Sequence, residues 1–238
     1  MNVQWEAAWQ AVIHHPLFGV AITLAAFQLS YAAYEKTRWV FLQPVLVSML
    51  MVVGVLLACG LGYEDYRLSA QMLTVMLGPA TVALAVPLYL NLRRIRELFG
   101  PIMITLLVGG ITATALGMAL AWAFGADRMV LMTLAPKSVT SPIAMLVAEQ
   151  IGGVVALAAV FVMITGILGA IFGPELLRRF GVQHPAARGM ALGLTAHAVG
   201  TAQALQESEE CGAFAALAMS LMGVLTAVLL PLAVSLSL

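Results

Sequence analysis

The stretch PIMITLLVGGITATALGMALAWAF, residues 101–124, decides the fold class. It carries no charged residue, and a helix that crosses a bilayer needs about 20 apolar residues in a row. A second run, GGVVALAAVFVMITGILGAIF at 152–172, reads the same way. A membrane β-barrel would instead show short strands of alternating hydrophobicity. Backbone polar groups in lipid are satisfied only by helices or closed barrels, so these unbroken runs are helices.

Composition extends the reading to the whole chain. Of 238 residues, 62% are hydrophobic and 9% are charged. A soluble domain carries about 25% charged residues, so too few are present here to build a water-facing surface. The sequence predicts an all-α polytopic membrane protein whose main partner is the lipid bilayer. Its start, MNVQWEAAWQAVIHH, lacks a basic n-region and a cleavage motif, so no cleaved signal peptide is expected. Lys and Arg balance Asp and Glu at 11 each, so nucleic acid is not an expected partner. Cys59 and Cys211 make no disulfide framework and no metal pattern. His14, His15 and His184 sit beside Pro16 and Pro185 and read as interfacial. No metal site and no cofactor is expected, and the chain reads as one domain, 1–238.

Eight apolar segments stand out, near 17–34, 41–60, 72–91, 99–124, 130–149, 151–172, 189–206 and 212–235. The expectation is about 7–8 membrane segments. Three are irregular. Segment 72–91 holds Gly78-Pro79 and Pro87, 130–149 holds Pro136-Lys137 and Ser141-Pro142, and 189–206 is rich in Gly, Thr and His. Proline removes an amide donor and glycine weakens a helix, so each is expected to be broken or re-entrant.

Lys and Arg collect in cytoplasmic loops. Lys36/Arg38, Arg93/Arg94/Arg96 and Arg178/Arg179/Arg188 mark such loops, while Glu207/Glu209/Glu210 mark an opposite one. The alternation works when 130–149 enters and leaves on one face. An offset of 115 residues pairs Leu77-Gly78 with Leu192-Gly193 and the Arg93–Arg96 loop with the Glu207–Glu210 loop. Equivalent loops of opposite charge suggest two inverted-topology repeats, with halves near 17–124 and 130–238. The pairs Gly169/Gly173 and Gly189/Gly193 fit small-xxx-small helix packing.

Lys137, in LAPKSVTSPIAM, is the most informative single residue. A lysine at a helix centre costs about 2.5–3.5 kcal/mol on insertion scales, so it faces a cavity or a partner. It reads as a cationic ligand for an anion, with Ser138, Thr140 and Ser141 as hydroxyl donors beside it. The plain alternative is a lysine snorkelling to the interface. Gly78, Pro79 and Thr81 would expose half-helix amides to a carboxylate, or would only kink a helix. Thr195, His197, Gly200 and Thr201 occupy the equivalent segment of the second half. His197 and Thr201 are i and i+4, hence on one helical face. The imidazole could carry a proton near neutral pH or be a histidine bonded inside the bundle. No catalytic residue is assigned. An intramembrane Ser138–Lys137 hydrolase fits poorly, because neighbours on a helix diverge by about 100°.

The strings MLGPATVALAVPLY (76–89), LAPKSVTSPIA (134–144), FVMITGILGAIFGP (161–174) and AHAVGTAQALQESEECGAF (196–214), with YEDY at 63–66, resemble the LrgB/CidB family over nearly the whole chain. Ser141 stands where the family pattern leads one to expect Thr, and Met222 where it leads one to expect Asn. The resemblance implies a bacterial inner-membrane carrier for small 2-hydroxy or 2-oxo monocarboxylates of the glycolate, glycerate, lactate or pyruvate class. The family's other description, as antiholin-like modulators of murein hydrolases and autolysis, implies a regulator instead. An LrgA-type small membrane partner is implied as well, and self-association into a homo-oligomer stays open. A pore or lysis regulator needs no single intramembrane lysine, so the residues themselves favour the carrier.

Overall fold

The computed structural model describes residues 2–37, 39, 42–83 and 85–236. Among these there are helices and no strand. Arg38, one of the expected cytoplasmic cations, lies outside the described residues. Four helices are long and apolar enough to cross a membrane, or up to six if each bent pair is one span, against the seven or eight segments expected. The chain divides into two compact units, Met1–Ala83 and Leu84–Leu238.

The first unit contains α1 (Asn2–Ile13), α2 (Phe18–Thr37), α3 (Pro44–Cys59), α4 (Tyr63–Ser69) and α5 (Gln71–Ala83). Helix α2 packs on α3 through Ala26, Val52 and Leu56, with Ile22, Met51, Leu61 and Tyr66 around them. Gly19 touches α4 so closely that its amide donates to Ser69 Oγ at 3.1 Å, and Thr23 Oγ1 lies 2.9 Å from Tyr66 OH. The YEDY segment thus ties the unit together. Asp65 caps the Gly62 amide. Helix α5 runs through Gly78 and Pro79 without a break, so the interruption expected there is not found. Proline removes one amide donor, and a helix in an apolar setting tolerates that loss.

The second unit begins with α6 (Ala85–Leu90) and α7 (Leu92–Glu97). Then α8 (Phe99–Ile104), a π-helical turn (Thr105–Gly109) and α9 (Gly110–Ala123) form one 25-residue apolar rod, Phe99–Ala123. After it come α10 (Arg128–Leu134), α11 (Ser141–Gln150), α12 (Val155–Arg179), α13 (Pro185–Glu207) and α14 (Glu209–Leu236). The core collects Leu106, Ala144, Val162, Leu194, Phe214 and Met222 from five of these elements, and Val139 from the turn between α10 and α11.

Two segments of this unit fold back on themselves. The first is 128–150. Thr133 Oγ1 accepts from the Val154 amide at 2.8 Å across 21 positions, which a straight helix would separate by about 31 Å. Gly153 lies against the Thr133 backbone, and Ala135 clusters with Val147 and Ile151. The chain therefore descends through α10, turns at 135–140 and returns through α11. Gly152, at φ 82°, makes the left-handed turn into α12. The expected re-entrant or broken segment at 130–149 is present.

The second is α13. Arg188 Nε and Nη2 donate to the two Glu207 carboxylate oxygens at 2.7 and 2.9 Å across 19 positions, a span of about 28 Å in a straight helix. The reversal is at His197, whose φ of 41° and ψ of −128° interrupt the helix. Gly200 then lies against Leu192 and Ala196 of the descending arm.

The two hairpins open at opposite ends of α12. This corrects one expectation. Glu207–Glu210 does not sit opposite the arginine loops, because α13 returns to the face it left. Arg94 Nε pairs with Glu210 at 3.2 Å, and Arg94 Nη2 meets His184 Nε2 at 3.0 Å. The loops 93–96 and 207–210 share one face, so the 115-residue offset loses the charge argument that suggested it.

Candidate functional site

The first hairpin owes its break to its prolines. Pro136 lies in two successive tight turns, in which the Lys137 amide donates to Leu134 O and the Val139 amide to Pro136 O. Pro142 sits in the first turn of α11, where its missing amide costs no helical bond. Between them the backbone carries Lys137, Ser138 and Thr140 outside any helix. Ser138 is buried, while Lys137, Thr140 and Ser141 are half-buried. Thr140 precedes α11 without capping it.

The Lys137 ammonium donates to the Ala113 carbonyl of α9 at 2.8 Å. Ala113 lies about 15 Å from the Ala123 end of the Phe99–Ala123 rod and about 21 Å from the other, at 1.5 Å per residue. The charge therefore rests near mid-length of a helix long and apolar enough to cross a membrane. A snorkelling lysine would reach an end. Gly117, one turn along α9, makes the socket: a Cβ there would stand 2.9 Å from Lys137 Cε and Nζ. Among the described residues no carboxylate forms an ion pair with Lys137.

The second hairpin places His197 at its tip, buried, with Nε2 3.0 Å from the Val162 carbonyl of α12. Gly166, one turn along α12, leaves room for the ring. Thr201 Oγ1 donates to the His197 carbonyl at 2.8 Å and secures the turn. The helix is interrupted at His197, however, and the two side chains meet different neighbours, the ring Val162 O of α12 and the hydroxyl Met219 Sδ of α14, so the single helical face expected for the pair is not formed. Gly200 serves close packing. Thr195 is exposed and bonded back to Ala191 O.

The second unit thus brings Lys137, Ser138, Thr140 and Ser141 onto one hairpin and His197, Gly200 and Thr201 onto another. Val139 and Val162, beside the two tips, belong to one core cluster. Gly78, Pro79 and Thr81 belong to α5 of the first unit, and the Thr81 side chain lies outside the described residues. Gly78 is exposed, with open space where a Cβ would be. Two apolar cavities of about 270 and 290 Å³ are lined by residues such as Met118, Met222 and Thr226, and Thr105, Met190 and Phe214. Neither is lined by Lys137 or His197. Met222, the departure from the family pattern, packs on Gly110.

Sequence reading missed Gly117, the Arg188–Glu207 pair and the Thr133–Val154 bond. None has a local signal, since each partner lies at least 19 positions away. The glycine spacing was informative. Gly189 and Gly193 lie against the Cys211 and Ala215 backbone, and Gly169 and Gly173 against Ala196 and Leu192.

Comparison with known proteins agrees with the motifs. A family model described as the LrgB-like family matches residues 23–236. The chain is 36% identical over 215 residues to the uncharacterized protein YxaC of Bacillus subtilis (strain 168), covering 90% of this chain and 94% of that one. It is 30% identical over 218 residues to the antiholin-like protein LrgB of Bacillus mycoides (strain KBAB4), covering 91% and 95%. No solved structure matches it. A multi-pass helical membrane protein with these motifs in this order belongs to the LrgB-like family.

Proposed function

We propose that this chain is an inner-membrane carrier for small 2-hydroxy or 2-oxo monocarboxylates, the class of glycolate, glycerate, lactate and pyruvate. One observation carries the reading: an ammonium near mid-length of a helix long and apolar enough to cross a membrane, resting on a neutral carbonyl. A cation in that position needs a compensating anion, and no side chain supplies one among the described ion pairs. A substrate carboxylate would take that place. Lys137 would contribute the charge, and Ser138, Thr140 and Ser141 would donate hydrogen bonds to its oxygens. His197 and Thr201 would form the opposing tip. The α-hydroxyl or α-keto group would distinguish this class from acetate.

Orientation follows from charge. Arg93, Arg94, Arg96, Arg178, Arg179 and Arg188 gather at the end of the second unit where α13 opens, and Lys and Arg favour the cytoplasm. We place that end in the cytoplasm, with an LrgA-type membrane protein as partner. A second reading, an antiholin-like regulator of murein hydrolases, is favoured by the names that relatives carry.

Uptake of labelled pyruvate, lactate and glycolate into proteoliposomes, with and without an LrgA-type partner, tests the carrier. Wild type is expected to accumulate at least one of them. Lys137→Ala is expected to abolish uptake while remaining folded, and Lys137→Arg to rescue poorly, because a planar fork does not replace a compact ammonium. Wild-type transport by Lys137→Ala would remove the lysine from the site. Failure of every carboxylate under both conditions would favour the regulator.

A further inference from the structure

Among the described residues, His197 is the one non-glycine with positive φ. Such a backbone favours glycine, and a bulky L-residue persists there only when its surroundings over-determine it. The strain falls on the reversal of the α13 hairpin, where glycine would turn freely. The imidazole is what glycine could not provide. A carbonyl can only accept, so the Val162 bond makes His197 Nε2 the protonated nitrogen of the ring.

The hairpin also touches the Phe99–Ala123 rod, with Leu194 against Gly109, but it meets its two main neighbours in different ways. Towards α14 the approach is backbone to backbone, through Gly189 on Cys211 and Gly193 on Ala215. That contact leaves no room for the two helices to slide. Towards α12 the hairpin lies along Gly166, Gly169 and Gly173, touching them through the His197 ring, the Ala196 methyl and the Leu192 side chain. One side-chain hydrogen bond crosses this smooth face among the described residues, and it is the one from His197.

We infer that the α13 hairpin and α14 move as one body along the glycine face of α12, and that His197 is the latch holding that body closed. His197 is then a positioning residue, and its strain is the cost of keeping a hydrogen-bond donor at the tip. The effect on transport rests on the carrier reading above, whereas the latch itself does not.

The experiment uses full-length protein in lipid nanodiscs with Ala, Gly or Gln at position 197. Ala and Gly both delete the ring, but only Ala keeps a Cβ on the strained backbone. His197→Gly is expected to melt above His197→Ala, the reverse of the order at an ordinary helix position. A cysteine at Leu192, buried against Gly173 of α12, with Cys59 and Cys211 replaced by Ala, reports opening of that contact. His197→Gly is expected to raise its labelling rate at least fivefold. His197→Gln, whose amide can reach the Val162 carbonyl, is expected to bring the rate back towards wild type. Carboxylate uptake should fall at least tenfold in the Gly variant and recover in part in the Gln variant. An Ala variant as stable as the Gly variant, or a Gly variant that fails to fold, overturns the strain argument. Unchanged labelling overturns the latch. If labelling responds as expected while wild type moves no carboxylate, the latch stands and the carrier reading falls.

Discussion

Removing the Arg188–Glu207 pair is expected to loosen the base of the α13 hairpin by an amount the structure allows one to estimate. The contact is a two-pronged guanidinium–carboxylate pair at 2.7 and 2.9 Å, with side chains 17% and 21% exposed. Fully exposed pairs contribute about 0.2–1 kcal/mol, and breaking a buried pair costs about 3–5 kcal/mol. This pair lies between the two limits, so its coupling should be about 2 kcal/mol. For a chain of this size 1 kcal/mol moves Tm by about 2–4 °C. Arg188→Met and Glu207→Gln should therefore each lower Tm by roughly 4–8 °C. Arg188→Met should cost more, because Nη1 also donates to the Val182 carbonyl at 3.2 Å. The double variant should melt close to the worse single variant, since the second change has no pair left to break. Thermal unfolding of the four proteins in one lipid composition completes the cycle. Strictly additive losses would mean that the two groups act independently and do not close a hairpin.

Further outcomes follow from the same geometry. Gly117→Ala puts a methyl 2.9 Å from the flexible end of Lys137, so uptake should fall about tenfold through a displaced ammonium while Tm stays within about 2 °C. Wild-type uptake by that variant would mean the socket does not set the charge. Gly193→Val meets the rigid Ala215 backbone, where overpacking costs about 3 kcal/mol. A low folded yield on size-exclusion chromatography is expected, and a normal yield would mean α13 and α14 can separate. Cysteines placed at Arg96 and Glu209 should label from the same side of the membrane, and one at Phe124 from the other. Labelling of 96 and 209 from opposite sides would contradict the hairpin.

The long apolar run at 101–124 was legible because lipid leaves few alternatives to a helix. The first hairpin was legible too, because Pro136 and Pro142 bracket a lysine within an otherwise apolar stretch. The second was only half legible. Its Gly, Thr and His content announced irregularity, but a reversal and a kink look alike until Arg188 is known to touch Glu207. Read as a crossing, the segment put Glu207–Glu210 on the wrong face. Gly78-Pro79 misled in the opposite direction, since a local weakness does not break a helix that its surroundings support. Lys137 announced itself by its cost in lipid. Gly117 could not, because it is one of 21 glycines and acts through a side chain 20 positions away.

Two hairpins that open at opposite ends of α12, with Val139 and Val162 in one core cluster, would also bear on the electrical behaviour of a membrane that holds them. The arms α10 and α11 have 7 and 10 residues against the 25 of α12, so insulation would depend on the side chains packed where the hairpins meet: Leu106, Val139, Val162, Leu194, Phe214 and Met222. A charge that crosses the membrane gains or loses about 2.3 kcal/mol per 100 mV. A cell living on its membrane potential therefore has reason to keep that layer large and apolar. Trimming Phe214 or Leu106 to alanine would cost the cell through current as well as through lost packing.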